Sequence, residues 1–284
     1  MILKSFAKIN SLLYVLGKRP DGYHELFTLM HKIDLFDLIE IERNDGGLKF
    51  SINIDELNNQ DNLAVKAARL FFEKTGIKPQ VSIEIEKHIP VGGGLGGGSS
   101  NAAYTLKGLN ELFDFPLSRG ELFEVAAKIG SDVSFFVEHG DAIAEGRGEI
   151  ITKVKCNTEG FKVLLAIPNF SVSTAFVYKR LRLTKLKGLN KMALTVKDGL
   201  CSMHELKNHL HNDLESVVLK EFDLLKWIKE TLIKEAGNGL VSGSGSCVFS
   251  ILGSEVQAEE GLKEQLETRG VLCKTVNFAE EILR

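Results

Sequence analysis

PVGGGLGGGSSNAA, residues Pro90 to Ala103, places six glycines in fourteen positions and follows them with two serines. Upstream, Val81, Ile83 and Ile85 alternate with Ser82, Glu84 and Glu86, the pattern of a half-buried strand. Downstream, Ala102, Leu106, Leu109 and Phe113 recur at helical spacing. The stretch therefore reads as strand, glycine loop, helix N-terminus. Glycine permits positive φ and close backbone approach, and the first N–H groups of a helix lack intrahelical partners at the positive end of its dipole. Together these features form an anion site, and phosphate is the usual anion.

Two familiar phosphate loops fail on context. Gly92, Gly94 and Gly97 satisfy G-x-G-x-x-G, but the dinucleotide fingerprint needs an acid at the end of the following strand. Here Glu111 and Asp114 fall at the end of the helix, and a second helix follows from Ser118. A Walker loop needs a lysine before its serine, and Gly98 is followed by Ser99. A flexible linker is the bland alternative, poorly suited to a place between so regular a strand and helix.

The remaining 270 residues set the frame. A chain of 284 residues predicts two domains, with 44% hydrophobic and 26% charged residues as in ordinary globular proteins. A net charge of −3 argues against nucleic-acid partners and polybasic membrane binding. No apolar run approaches the roughly 20 residues of a membrane span. Lys4 and Lys8 interrupt any signal-peptide core, so a cytoplasmic location is expected. Cys156, Cys201, Cys247 and Cys273 are far apart with no C-x-x-C, and read as reduced residues, neither a zinc site nor a disulfide framework.

In chain order, residues 2–16 are largely apolar but carry Lys8 and Asn10, which either face a site or lie on a solvated strand face. Arg19-Pro20-Asp21-Gly22 is a turn, after which Tyr23 and His24 either offer a stacking platform or begin a strand. Residues 38–54 read as a hairpin about Asn44-Asp45-Gly46-Gly47. Asp61 or Asn62 caps a helix reaching about Lys74, with Gly76 beyond it. Ser118 and Glu121 form a capping box for a helix whose C′ glycine is Gly130. Asp132 then caps the next turn or is a deliberately placed carboxylate. Residues 140–154 read as a strand pair closing the first half.

The pattern restarts at 156–160. A strand over 161–167, helices near 173–182, 201–210 and 213–235, and a second glycine–serine loop at Ser242–Ser246 lead into a strand to Leu252. Ser254 and Gln257 cap a further helix, and a final strand runs over 271–278. This half reads as α+β, with helices on one face of a mainly antiparallel sheet.

These motifs together resemble the GHMP kinase superfamily over essentially the whole length. They are Ala7-Lys8-Ile9-Asn10, Arg19 to His24, Asp61-Asn62-Leu63, the stretch from Pro90, Gly130 to Val133, Asn212 to Glu215, and Ser242–Ser246. The glycine loop indicates the superfamily. The Asp-Gly-Tyr-His turn beside Ala-Lys-Ile-Asn narrows it to the branch acting on 4-diphosphocytidyl-2-C-methyl-D-erythritol in non-mevalonate isoprenoid biosynthesis. Ser11 stands where the family usually has leucine, and Ser131 and Ser134 replace the usual alanine and proline around Asp132.

The resemblance implies an α+β, two-domain GHMP kinase fold. Residues 1–154 would be an ATP-binding domain like ribosomal protein S5 domain 2, and 155–284 a ferredoxin-like domain, with the site between them. It implies phosphorylation of the substrate's 2-hydroxyl by ATP, with magnesium as its companion. Lys8 and Asp132 match the catalytic pair. Asn62 and Leu63 match positions near adenine. Pro90, Gly92, Gly94, Leu95, Gly96, Gly97, Gly98, Ser99, Ser100 and Asn101 match the phosphate cradle, and Ser100 is a conceivable magnesium ligand. Asn10, Tyr23, His24, Asp132 and Thr174 match positions around the substrate, with His24 stacking on cytosine and Gly243, Ser244 and Gly245 closing over it. A homoserine-, mevalonate- or galactose-type kinase would share the loop but not the Asp-Gly-Tyr-His turn. A silent nucleotide sensor would not need both Lys8 and Asp132.

Overall fold

The structure is a computed structural model describing residues 1–182, 188–253 and 259–279. Two long strands form its spine. β1 (Ile2–Lys18) and β2 (His24–Arg43) pair antiparallel across the Pro-Asp-Gly turn, with bulges between Phe6 and Ala7 and between Asn10 and Leu12. β3 (Leu48–Ile52), α1 (Leu63–Thr75) and β4 (Val81–Glu86) follow. Asn62 caps α1 by accepting from the Ala64 N–H, and Gly76 closes it at φ 69°.

The expected hairpin over 38–54 is not formed. β4 lies between β2 and β3, antiparallel to the first and parallel to the second. Turn chemistry at 44–47 reverses the chain, but the edge of β2 is taken by the alternating Val81, Ile83 and Ile85. These side chains meet Ile39, Ile41 and the buried face of α1 in one core.

α2 (Gly97–Leu112) runs from the glycine loop and buries Ala102, Leu106 and Leu109 completely. α3 (Arg119–Ile129) begins at the expected Ser118–Glu121 capping box. Gly130 ends it at φ −179°, extended backbone and not the left-handed closure expected of a C′ glycine. The chain therefore leaves α3 straight and turns directly into α4 (Val133–Val137). β5 (Asp141–Gly146) and β6 (Ile150–Val154) close the first half as expected, with β5 paired on the outer stretch of β2.

The second half begins with β7 (Cys156–Asn157), β8 (Lys162–Ile167), α5 (Thr174–Arg180), α6 (Lys191–Lys197), β9 (Cys201–Ser202), α7 (Met203–Leu206) and β10 (His211–Asn212). It continues with α8 (Glu215–Glu221), α9 (Asp223–Ala236), β11 (Leu240–Val241), β12 (Val248–Leu252), α10 (Glu259–Glu267) and β13 (Leu272–Asn277). The helix expected over 201–210 is reduced to one turn after a short strand. The one over 213–235 is broken where Phe222 adopts extended backbone at φ −129°, ψ 93°. The cap at Ser254 and Gln257 lies outside the described residues.

β11, β12, β8 and β13 form an antiparallel sheet in that order. β8 is buried on both faces, which explains its unbroken apolar run. Leu164 and Ala166 pack with α8 and α9, while Val163, Leu165 and Ile167 share a core with Ile9, Leu12 and Phe27 of the first half. β10 joins the first sheet beside β1, so the halves are stitched by a strand as well as by a core.

One expectation about cysteine is overturned. Cys156 and Cys201 form a disulfide, their Cα atoms 4.6 Å apart, because β7 and β9 pair in register across 45 residues. No sequence spacing announces such a contact, since only strand pairing brings the two together. Cys247 and Cys273 are free.

Candidate active site

A cleft of about 540 Å³ opens where the glycine segment meets the Ser242–Ser246 loop. The two loops are tied together through backbone carbonyls of the glycine segment. The Ser242 hydroxyl donates to the Gly94 carbonyl at 3.0 Å, and the Cys247 N–H to the Gly93 carbonyl at 3.1 Å. A Cβ on Gly94 would come within 2.0 Å of the Ser242 carbonyl oxygen, and one on Gly92 within 2.4 Å of the Ser171 side chain. The glycines thus have separate physical reasons. Gly92 and Gly94 are small because loop packs on loop. Gly98 meets nothing nearer than Leu63, 3.7 Å away, and its absent side chain leaves the mouth of the cleft open.

α2 starts here without a side-chain cap. Its N-cap, Gly96, is left-handed at φ 71°, so the dipole end of a 16-residue helix faces the cleft. Leu95, Gly97 and Ser99 line the same wall, with Pro90 at the near end and Asn62 and Leu63 opposite. The side chain of Asn62 is already engaged, accepting from Ala64 N–H and donating to the Leu57 carbonyl.

Across the cleft lies Lys8, its side chain only 4% exposed. Its Nζ donates to Asn10 Oδ1 at 2.6 Å and to the Gly94 carbonyl at 2.9 Å, and stands 3.6 Å from Asp132 Oδ2. Asp132 occupies the N-cap position of α4, yet its side chain caps nothing and is 39% exposed. The carboxylate is free to face the cleft. Burial lowers the Lys8 pKa from its ordinary value, and the charge of Asp132 pulls partly in the other direction. Asn10 is oriented in turn by donating to Thr28 Oγ1 at 2.8 Å.

The far wall joins Thr174 to Ser244 through a 2.8 Å hydroxyl contact, beside Gly243 and Gly245. Three residues expected at the site stand off the lining. Ser100 is fully buried and donates to the Phe6 carbonyl at 2.6 Å, with Ser5 Oγ at 2.7 Å. Its oxygen is committed away from the cleft, so it does not fit a magnesium ligand. His24 lies behind Tyr178, ring centroids 5.0 Å apart, and Tyr178 is the one that lines the cleft. Tyr23 is half-exposed beneath the Arg147 guanidinium, 5.0 Å from its ring.

Asn101 lines the cleft but is tied below it, donating to Ser5 Oγ and to Asp37 Oδ2 at 2.8 Å. That leads to a group absent from the sequence reading. Asp37, wholly buried, also accepts from Lys87 Nζ at 2.6 Å and from the His88 and Ile89 N–H groups at 2.7 Å each. Lys87 is thereby fixed beside the start of α2, within 2.7 Å of where a Gly97 Cβ would sit. In sequence Lys87 merely ends an alternating strand. Its one signal was a lysine three residues before Pro90. Tyr178 carried no signal beyond a helical stripe.

An open helix N-terminus, a glycine wall and a facing lysine–carboxylate pair make an arrangement suited to phosphate. The N-terminal domain profile of the GHMP kinases matches residues 62–146 and their C-terminal profile residues 195–267, and the chain belongs to this family. It is 40% identical over 272 residues to a 4-diphosphocytidyl-2-C-methyl-D-erythritol kinase of Syntrophomonas wolfei, covering 95% of each chain. To the protein of that name in Alkaliphilus metalliredigens it is 39% identical, covering 99% of this chain and 97% of the other. A crystal structure of 4-(cytidine 5'-diphospho)-2C-methyl-D-erythritol kinase superposes with a TM-score of 0.79 at 30% identity, over 98% of this chain and 100% of that one. The mevalonate kinase of Methanococcus jannaschii, 16% identical with a TM-score of 0.69, shares the fold.

Proposed function

We propose that this chain transfers the γ-phosphoryl group of ATP to the 2-hydroxyl of 4-diphosphocytidyl-2-C-methyl-D-erythritol, in the non-mevalonate route to isoprenoid precursors. The observation that carries the reading is the approach of Lys8 and Asp132 opposite the uncapped start of α2. The relatives' shared name supplies the alcohol.

In phosphoryl transfer, positioning and electrostatics carry most of the catalysis. The backbone from Gly94 to Ser99 holds the ATP phosphates, and the N-terminal dipole of α2 complements their charge. Asp132 accepts the proton of the attacking hydroxyl. Lys8, 3.6 Å from that carboxylate, offsets the negative charge growing between alcohol and phosphate. Asn10 and the Gly94 carbonyl aim the ammonium, taking two of its donors. Asn62 and Leu63 border the adenine, while Lys87 adds charge at the phosphate end. Asn10, Thr174 and the 243–245 loop position the alcohol, and Tyr178 backed by His24 stacks on cytosine. Magnesium arrives with ATP. No step here depends on a protein ligand to it.

We place the division of the chain at 154/155, with the small-molecule substrate bound between the halves and the protein in the cytoplasm. Among the described residues no helix is long and apolar enough to cross a membrane.

The test is ADP release with the cytidine-bearing alcohol, homoserine and mevalonate, on wild type, His24→Ala and Tyr178→Ala. Stacking on a base contributes about 1–3 kcal/mol, so each variant should raise KM for the cytidine substrate by roughly tenfold and leave KM for ATP nearly unchanged. Turnover of homoserine or mevalonate at the cytidine substrate's rate, or an equal effect on both KM values, refutes the assignment.

A further inference from the structure

Behind the strand that carries Lys8 lies a second cluster of chemically capable side chains, none of which lines the cleft. His31 on β2, Asp141 at the start of β5 and Cys156 on β7 bring one ligand atom each within 4.8 Å of one another. His31 is fully buried. Ser11 Oγ lies 2.7 Å from its Nε2 and donates to the Leu29 carbonyl at 3.4 Å. With Ser11 held on Nε2, Nδ1 is the ring nitrogen turned toward Asp141. That nitrogen makes no hydrogen bond, although Asp141 Oδ1 stands 3.0 Å from it. The imidazole nitrogen, the carboxylate oxygen and the cysteine sulfur thus converge around one position between three strands.

Imidazole, carboxylate and thiolate together are a zinc-type donor set, with ligand bonds of about 2.0–2.3 Å. A neighbour holding the far nitrogen, as Ser11 holds Nε2, is the usual support for a ligating histidine. The Cys156 sulfur is engaged in the bond to Cys201, and Asp141 Oδ2 accepts from the Cys156 N–H at 3.4 Å, leaving Oδ1 for the cluster.

We propose that His31, Asp141 and Cys156 form a divalent zinc-type metal site that opens when the Cys156–Cys201 disulfide is reduced. A dithiol supplies two electrons by thiol–disulfide exchange and becomes a disulfide itself, while Cys156 and Cys201 each take up a proton. The cation then displaces the Cys156 thiol proton to solvent as the sulfur–metal bond forms, and Nδ1 and the carboxylate donate without proton loss. Cys201 is the gate: bonded to Cys156 it closes the site, and as a free thiol beside it becomes available as a further ligand. Metal binding would then join β2, β5 and β7 where the disulfide had joined β7 and β9.

The test titrates the full-length protein with Co2+ and then Zn2+, after phosphine reduction and removal of the phosphine. Reduced protein should bind one equivalent of Co2+ with a thiolate charge-transfer absorption that Zn2+ abolishes, and oxidised protein should bind none. Cys201→Ser should bind without any reductant, because Cys156 is then permanently free. His31→Gln and Cys156→Ser should weaken binding by at least about tenfold, and Ser11→Ala by about 10–100-fold. Cys273→Ser should change nothing. Failure of both reduced wild type and Cys201→Ser to bind one equivalent overturns the proposal, as does undiminished binding by His31→Gln. Reduced wild type carries the test by itself if a variant does not fold.

Discussion

Lys8 and Asp132 are 124 positions apart in the chain, and their charged groups stand 3.6 Å apart at the edge of the cleft. Lys8 is held by a strand buried on both sides, and Asp132 by the straight exit from α3 into α4. The lysine is thus rigid and desolvated, whereas the carboxylate is solvent-touched and able to meet a substrate.

Removing the proposed base while keeping its shape tests the pair directly. Asp132→Asn should lower kcat by roughly 10²-fold or more with KM for ATP little changed, since the interaction is realised in the transition state. Steady-state kinetics decide it, and near-wild-type turnover would place the base elsewhere.

The lowered pKa of Lys8 has a consequence for pH dependence. In the proposed role its charged form is the working form, so activity should decline on the alkaline side as the proton leaves. Because burial pulls the folded pKa below the ordinary lysine value of 10.5, that decline should begin below the range of a free lysine. The pH profile of kcat/KM measures it, and Lys8→Arg, charged throughout, should lose the alkaline limb along with most activity.

Two glycines separate phosphate approach from folding. Gly98→Ala meets no atom closer than 3.7 Å, so the variant should keep its Tm while KM for ATP rises. Gly96→Val instead places a Cβ 2.9 Å from Phe136 and 3.0 Å from Lys8 at a positive φ, and should lower Tm as well. Thermal melting with ATP kinetics distinguishes them. Unchanged ATP binding in Gly98→Ala would remove that residue from the phosphate cradle.

Asp37 holds up the floor of the same wall. Asp37→Ala strands the Lys87 ammonium, whose side chain is 4% exposed, and frees three further donors. Breaking a buried pair in this way costs about 3–5 kcal/mol, so chemical denaturation should show a loss of that order. A loss below about 1 kcal/mol would mean that Lys87 finds water on the cleft side.

Sequence by itself determined the local elements. Alternation over 81–86, the caps at Asn62 and Ser118 and the glycine run from Gly92 specify strand, helices and anion loop, because each depends on neighbours within a turn or a pleat. The motif resemblance reached further, to the family itself. Tertiary structure decided what depends on partners far along the chain. The 38–54 segment has hairpin chemistry, but β4 offers β2 a buried apolar partner and displaces β3 to the far side. Cys156 meets Cys201 only through strand pairing, and Ser11 meets His31 only across the β1–β2 ladder. Of the site, Lys8 and Asp132 were ambiguous by pattern, each compatible with a solvated or capping role. Lys87, Asp37 and Tyr178 left no distinguishing mark, since a buried charge and a cleft aromatic are defined by what packs against them, and periodicity records only which face a residue occupies.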